Sequence, residues 1–125
     1  MNDIEITALK KAIAHLEGLE CQSSTNTEIG KACVYLDEES GAQCAVGCLI
    51  AREAYNPEIE GESISNPKVR AAVRASIPGI TSPEFWAWLG CLQEAHDDDY
   101  NWGPKGFTPT GEWQKKISHM KELLA

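Results

Sequence analysis

Gln43-Cys44-Ala45-Val46-Gly47-Cys48-Leu49-Ile50 is the stretch on which the reading of this chain turns. It is almost wholly apolar after Gln43. It follows the turn-rich Asp37-Glu38-Glu39-Ser40-Gly41, and Asn56-Pro57 stops it. An apolar run of this density predicts a buried helix over residues 44–54, because the residue ahead of proline disfavours helix and sets the far limit. Val46, Leu49 and Ile50 are then core residues. Cys44 falls at the start of that helix, where unpaired backbone N–H groups and the helix dipole favour a thiolate. Gly47 inside a helix costs stability, and close approach to another backbone is the physical reason to keep it.

Outward from that stretch, Ile6, Leu9, Ile13 and Leu16 recur at helical spacing and predict an amphipathic helix over residues 4–19, with Lys10, Lys11 and Glu17 on its wet side. The Ser/Thr-rich residues 21–27 read as a loop. Lys31-Ala32-Cys33-Val34-Tyr35-Leu36 has strand character, and Ala42-Gln43-Cys44 offers a second short strand. Downstream, Asn66-Pro67 and Ser82-Pro83-Glu84 both pair a capping side chain with proline at the first helical position. They predict one helix from 67 to about 76, broken by Pro78-Gly79, and another carrying Phe85, Trp86, Trp88, Leu89 and Leu92. Residues 97–109 read as a long loop with Gly103, Pro104 and Gly106. Thr110 then caps a last helix holding Trp113, Ile117, Met120, Leu123 and Leu124. No repeat or linker divides the chain. The expectation is one compact domain over residues 1–125, α+β and mostly helical, with about four to five helices and a small two-stranded β element.

The composition bounds function. The chain has 125 residues, 42% hydrophobic and 24% charged, which supports a packed core and excludes wholesale disorder. A net charge of −8 argues against direct nucleic-acid binding, which needs clustered Lys and Arg to neutralise phosphate. It permits a basic protein partner, or mimicry of nucleic-acid charge if the acids were arrayed on one face. No stretch is long enough for a membrane span, and Met1-Asn2-Asp3-Ile4-Glu5 lacks the pattern of a signal peptide. The expected location is the cytoplasm, where the five cysteines stay reduced.

Two constellations carry chemistry. Cys44 with His96 as general base, oriented by Asp97 or by Asp98, Asp99 or a distant acid, is the minimum for a thiol-dependent hydrolase or transferase. Against it stands the common fate of a free cysteine, burial as a small hydrophobe. Cys44 and Cys48, four apart, would share a helix face and begin a zinc site, but Cys91 and His96 point apart and no Cys-x2-Cys pair exists, so no metal is assigned. No cofactor is implied. Acids at 97–99 oppose the dipole at a helix C-terminus, so something must compensate them. Trp86, Trp88 and Trp102 are candidate partner-binding aromatics, with core packing as the alternative. His15 and His119 read as surface residues of amphipathic helices.

Cys44-Ala45-Val46-Gly47-Cys48-Leu49-Ile50, then Glu53-Ala54-Tyr55-Asn56-Pro57-Glu58-Ile59-Glu60-Gly61, and later Leu92-Gln93-Glu94-Ala95-His96-Asp97, resemble a family of small tailed-bacteriophage proteins. The order of parts is similar over residues 31–97. Cys44, Tyr55, Glu60, Gly61, His96 and Asp97 match its pattern, whereas position 48 varies in it. The family brings no activity with it. The resemblance adds Tyr55 and Glu60 to the binding candidates. It implies a phage-type accessory protein that binds and modulates a host or defence protein, an anti-defence role in the host cytoplasm. The thiol enzyme is the alternative.

Overall fold

The computed structural model describes residues 1–20, 22, 24–27, 30–38 and 40–125, with backbone alone for 24–27 and 30–33. The described residues form four α-helices, α1 (Asp3–Gly18), α2 (Pro67–Ser76), α3 (Pro83–Asp97) and α4 (Gly111–Leu124), and two small antiparallel hairpins. The first pairs β1 (Ser24–Thr27) with β2 (Gly30–Cys33), and the second pairs β3 (Trp102–Gly103) with β4 (Gly106–Phe107). This is the expected mostly helical α+β class.

The helices start where capping chemistry says they should. Asn2 caps α1, its side chain accepting from Glu5 N–H while Glu5 returns a bond to Asn2 N–H. Asn66 caps α2 ahead of Pro67, whereas Ser82 and Thr110 hold the N-cap positions of α3 and α4 without the expected capping bond, their hydroxyls donating instead to Glu5 and Asn101. Ala8, Leu9, Ala12, Ile13 and Leu16 form the buried face of α1, with Phe85, Leu89 and Leu92 of α3 in the same core. Each fully buried leucine or phenylalanine contributes roughly 1.5–3 kcal/mol. Ile117, Met120 and Leu124 bring α4 into that core.

Three expectations are corrected. Residues 44–54 do not form a helix. They form short 3-10 turns at Gly47–Leu49 and Arg52–Ala54, separated by extended Ile50 and Ala51. Cys44, Ala45, Val46, Leu49 and Ile50 are all buried, so the apolar density records a segment enclosed on every side, not a helical stripe. Gly47 sits against the Tyr35 carbonyl, and an added Cβ would stand 1.8 Å from that oxygen. The close approach to another backbone expected for Gly47 is present, and that backbone is the crossing chain at Tyr35. The second correction concerns the β element: the strand ends at Cys33, and its partner is 24–27 from the expected loop, not 42–44. Cys21 and Ser23 of that loop lie outside the described residues. The third is that the long loop after α3 holds a 3-10 turn, Asp99–Asn101, and the β3–β4 hairpin.

Candidate functional site

Gly90, Gln93, Glu94 and Asp97 recur along α3 at i, i+3, i+4 and i+7, which places them on one helix face. That face forms one wall of a cleft of about 410 Å³, within the usual range of ligand pockets, about 300–1,000 Å³. Residues 61–64 form a second wall. It meets α3 where Gly90 faces Ile64, and a Cβ on Gly90 would stand 3.4 Å from Ile64 Cγ2. Val34, Tyr35 and Cys44 complete the lining. The surface is mostly apolar, with Glu62, Glu94 and Asp97 as its acids.

The wall is held by a short relay. Gln93 Oε1 accepts from Val46 N–H at 3.4 Å, and Gln93 Nε2 donates to Asp97 Oδ1 at 2.9 Å. His96 Nδ1 donates to the same oxygen at 2.9 Å. A carboxylate only accepts, so the ring proton of this bond is on Nδ1. The His96 ring is fully buried and stands edge-on to Trp102, ring centroids 5.4 Å apart. Its backbone carbonyl, in the last turn of α3, accepts from Trp102 Nε1 at 2.7 Å and from Gln22 Nε2 at 2.9 Å. Adjacent side chains diverge in mid-helix. At this terminus His96 and Asp97 nevertheless meet.

The acids at the end of α3 are compensated here. Asp97 takes Gln93 and His96, while Asp98 takes the Tyr100 N–H at 3.0 Å and Trp113 Nε1 at 3.0 Å. Asn101, fully buried, donates to the Ala95 carbonyl at 3.0 Å and accepts from Thr110 N–H at 3.0 Å, stapling the end of α3 to the start of α4.

Cys44 lines the cleft yet exposes none of its surface to solvent. It is not at a helix N-terminus, so the dipole argument for its thiolate falls. The sulfur accepts from Gly47 N–H at 3.3 Å. Burial pushes the thiol up to about 12, against the lowering effect of the Gly47 and Val46 amides, and Asp97 and Cys48 raise it further. Burial likewise pushes Cys48 up to about 11, and its sulfur donates to the Ala45 carbonyl at 3.2 Å. The shared helix face assumed for these two cysteines does not exist. Among the described residues no group of three or more His, Cys, Asp or Glu is arranged to hold a metal ion.

Tyr55 and Glu60 stand beside the cleft as its scaffold. Glu60 Oε1 accepts from Tyr35 N–H at 2.8 Å, and Oε2 accepts from Leu36 N–H at 3.1 Å and from the Tyr55 hydroxyl. The Tyr35 hydroxyl donates to the Glu62 carbonyl. Two residues that line the cleft, Tyr35 and Glu62, are thus tied together, Tyr35 held by the Glu60 carboxylate and the Glu62 carbonyl held by the Tyr35 hydroxyl. The tryptophans are dispersed instead of forming one surface patch. Trp86 is buried, with the guanidinium groups of Arg70 and Arg74 at 5.0 and 5.1 Å from its ring. Trp88 and Trp102 are half-buried against the core. Of the aromatic residues described, Tyr100 is the one largely exposed, at 88%. His15 Nε2 bonds the Gln43 carbonyl at 2.8 Å and is half-buried, while His119 is exposed.

Of the candidates read from the sequence, the structure brings Cys44 and Asp97 into one cleft, with His96 behind Asp97. It separates Trp86 from them by function, as core. Sequence reasoning assigned no role to Tyr35, Glu62, Gln93 or Glu94; the helical spacing of Gln93, Glu94 and Asp97 was the signal that marked two of them. No described helix is long and apolar enough to cross a membrane. These features define a small helical α+β protein with an acid-lined, mostly apolar surface cleft. Comparison with known protein families, curated proteins and solved structures finds no match for the chain.

Proposed function

We propose that the protein is a phage-type accessory protein that binds and modulates a host or defence protein through the cleft beside α3. One observation carries this reading: the cleft offers carboxylates to a partner while withholding its thiol. Glu94 is exposed and no hydrogen bond or ion pair occupies its side chain among the described residues, whereas Cys44 is sealed and strongly favours its protonated form. A binding surface needs the first property, and nucleophilic catalysis is obstructed by the second. The acidic charge of the chain favours a basic partner surface.

The test is affinity capture from bacterial lysate with the wild-type chain and with Glu94→Lys. The expected result is a discrete partner retained by the first and lost by the second. Capture of nothing above background, or of the same partner by both, overturns the reading. The thiol enzyme keeps one supporting observation, the joint presence of Cys44 and Asp97 in the cleft with His96 bonded to Asp97.

A further inference from the structure

We infer that the occupant of the cleft is an arginine side chain presented by a partner protein. This rests on the binding reading above and narrows it to one chemistry. The cleft is apolar over most of its surface, with Val34 and Ile64 available to a hydrocarbon stem. The two glycines open it: Gly61 has no neighbouring atom within 4 Å of a notional Cβ, and Gly90 leaves only the contact with Ile64. Carboxylates stand on both walls, Glu62 on one and Glu94 and Asp97 on the other.

That combination asks for a stem that packs and a head that donates in more than one direction. Arginine has both, since its alkyl chain buries along apolar surface while its planar guanidinium spreads five donors in a fixed fork. A lysine ammonium is a compact, strongly hydrated point charge and leaves one wall unserved. Asp97 is suited to the contact because Gln93 and His96 both bond its Oδ1, which orients the carboxylate and leaves Oδ2 without a partner among the described residues. Glu62 has one oxygen engaged by Asn66 at 3.1 Å and the other available on the same terms.

The experiment titrates the isotope-labelled full chain with three capped tripeptides, Gly-Arg-Gly, Gly-Lys-Gly and Gly-norleucine-Gly, and follows backbone amide resonances. The arginine peptide is expected to shift Gly61, Ile64, Gly90 and Gln93, and to bind roughly tenfold more tightly than the lysine peptide. Glu94→Lys should abolish those shifts. Gly90→Leu, which fills the cleft from the helix side, should abolish them too, with circular dichroism reporting that each variant is folded. Equal binding of lysine or norleucine, shifts confined to another surface, or arginine binding that survives both variants overturns the inference. If lysate capture succeeds while arginine fails here, the accessory-protein reading stands and only the occupant is wrong.

Discussion

The Tyr55 hydroxyl donates to Oε2 of Glu60 at 2.6 Å, and that same carboxylate accepts the N–H groups of Tyr35 and Leu36. Burial, then the bond to Glu60, holds the Tyr55 phenol above its ordinary value, so the tyrosine is a permanent donor at physiological pH. One acid therefore ties the chain at 35–36, which bears the Gly47 contact and part of the cleft, to the turn at 60–61. Tyr55→Phe removes one donor and should cost about 1–2 kcal/mol. Glu60→Ala strands two backbone donors as well and should cost at least about 2 kcal/mol. Denaturant titration of both variants checks the order; equal, negligible losses would show that water replaces these bonds at no cost.

Gly47→Ala should be among the most damaging single-methyl additions in the chain. Its Cβ would stand 1.8 Å from the Tyr35 carbonyl oxygen and 2.7 Å from the carbonyl carbon, both backbone atoms that cannot rotate away. The expected loss is at least about 3 kcal/mol, or failure to fold. Gly18→Ala is the control. It lies in the last turn of α1 with open space around its Cβ position, so it should be neutral or stabilising by up to about 1 kcal/mol. Thermal melts of the pair decide it, and a near-normal Gly47→Ala would mean that the 35/47 crossing is not tight.

These two glycines also show where the sequence was legible. Capping pairs and apolar spacing marked all four helices, since both are local signals carried within a few residues. The segment 44–54 was misread because its apolar side chains are buried by chains distant in sequence, and periodicity cannot distinguish enclosure from a helix in so short a run. The cleft was half legible. Gln93, Glu94 and Asp97 are spaced as one helix face, but Tyr35 and Glu62 are joined through the Tyr35 hydroxyl and the Glu60 bonds, and nothing local announces contacts across 25 residues or more. The acids after His96 raised the question of compensation. One answer, Gln93, is local, one turn earlier on α3; the other, Trp113, comes from α4, which only the fold brings in.

Leu49→Ala should cost about 2–5 kcal/mol. Leu49, like Val46 and Ile50, is buried and belongs to the main core. Because it lies in a 3-10 turn and not in an α-helix, the helix propensity of alanine returns nothing. A loss below about 0.5 kcal/mol, measured by urea unfolding, would contradict the burial of this segment.

Stability should fall on acidification through Glu5. Its carboxylate is fully buried and serves two helix starts: it accepts from Asn2 N–H at 2.9 Å, and from Thr81 N–H, Ser82 N–H and the Ser82 hydroxyl at 3.2, 2.8 and 3.0 Å. Burial by itself pushes its pKa up, but the donors from Asn2, Ser82 and Thr81 outweigh it and hold the group below the ordinary glutamate value. The unfolded chain therefore binds the proton first as pH falls. The contribution is complete above the unfolded value of about 4.3 and is lost as pH drops through the lower folded value. Glu5→Gln should be less stable near neutral pH by at least about 2 kcal/mol and should show a flatter acid limb in denaturation measured from pH 7 downward. An acid limb equally steep in both proteins would assign acid sensitivity elsewhere.

Cys44 decides between binding and thiol chemistry. With its pKa pushed up to about 12 by burial, Cys44 stays protonated near neutral pH and lacks the thiolate that alkylation requires. It is also sealed from reagent, whereas Cys48 and Cys91 are half-buried. Iodoacetamide near neutral pH, with mass-spectrometric assignment of each cysteine, should leave Cys44 unmodified in the folded protein and label it once denaturant is added. Cys48, also raised by burial, should react slowly. His96→Gln should not change the rate at Cys44, because the imidazole is bonded through Nδ1 to Asp97 and the sulfur takes its hydrogen bond from Gly47. Rapid labelling of Cys44 in the native state, slowed by His96→Gln, would mean that the fold opens to expose an activated thiol, and the enzyme reading would displace the binding one.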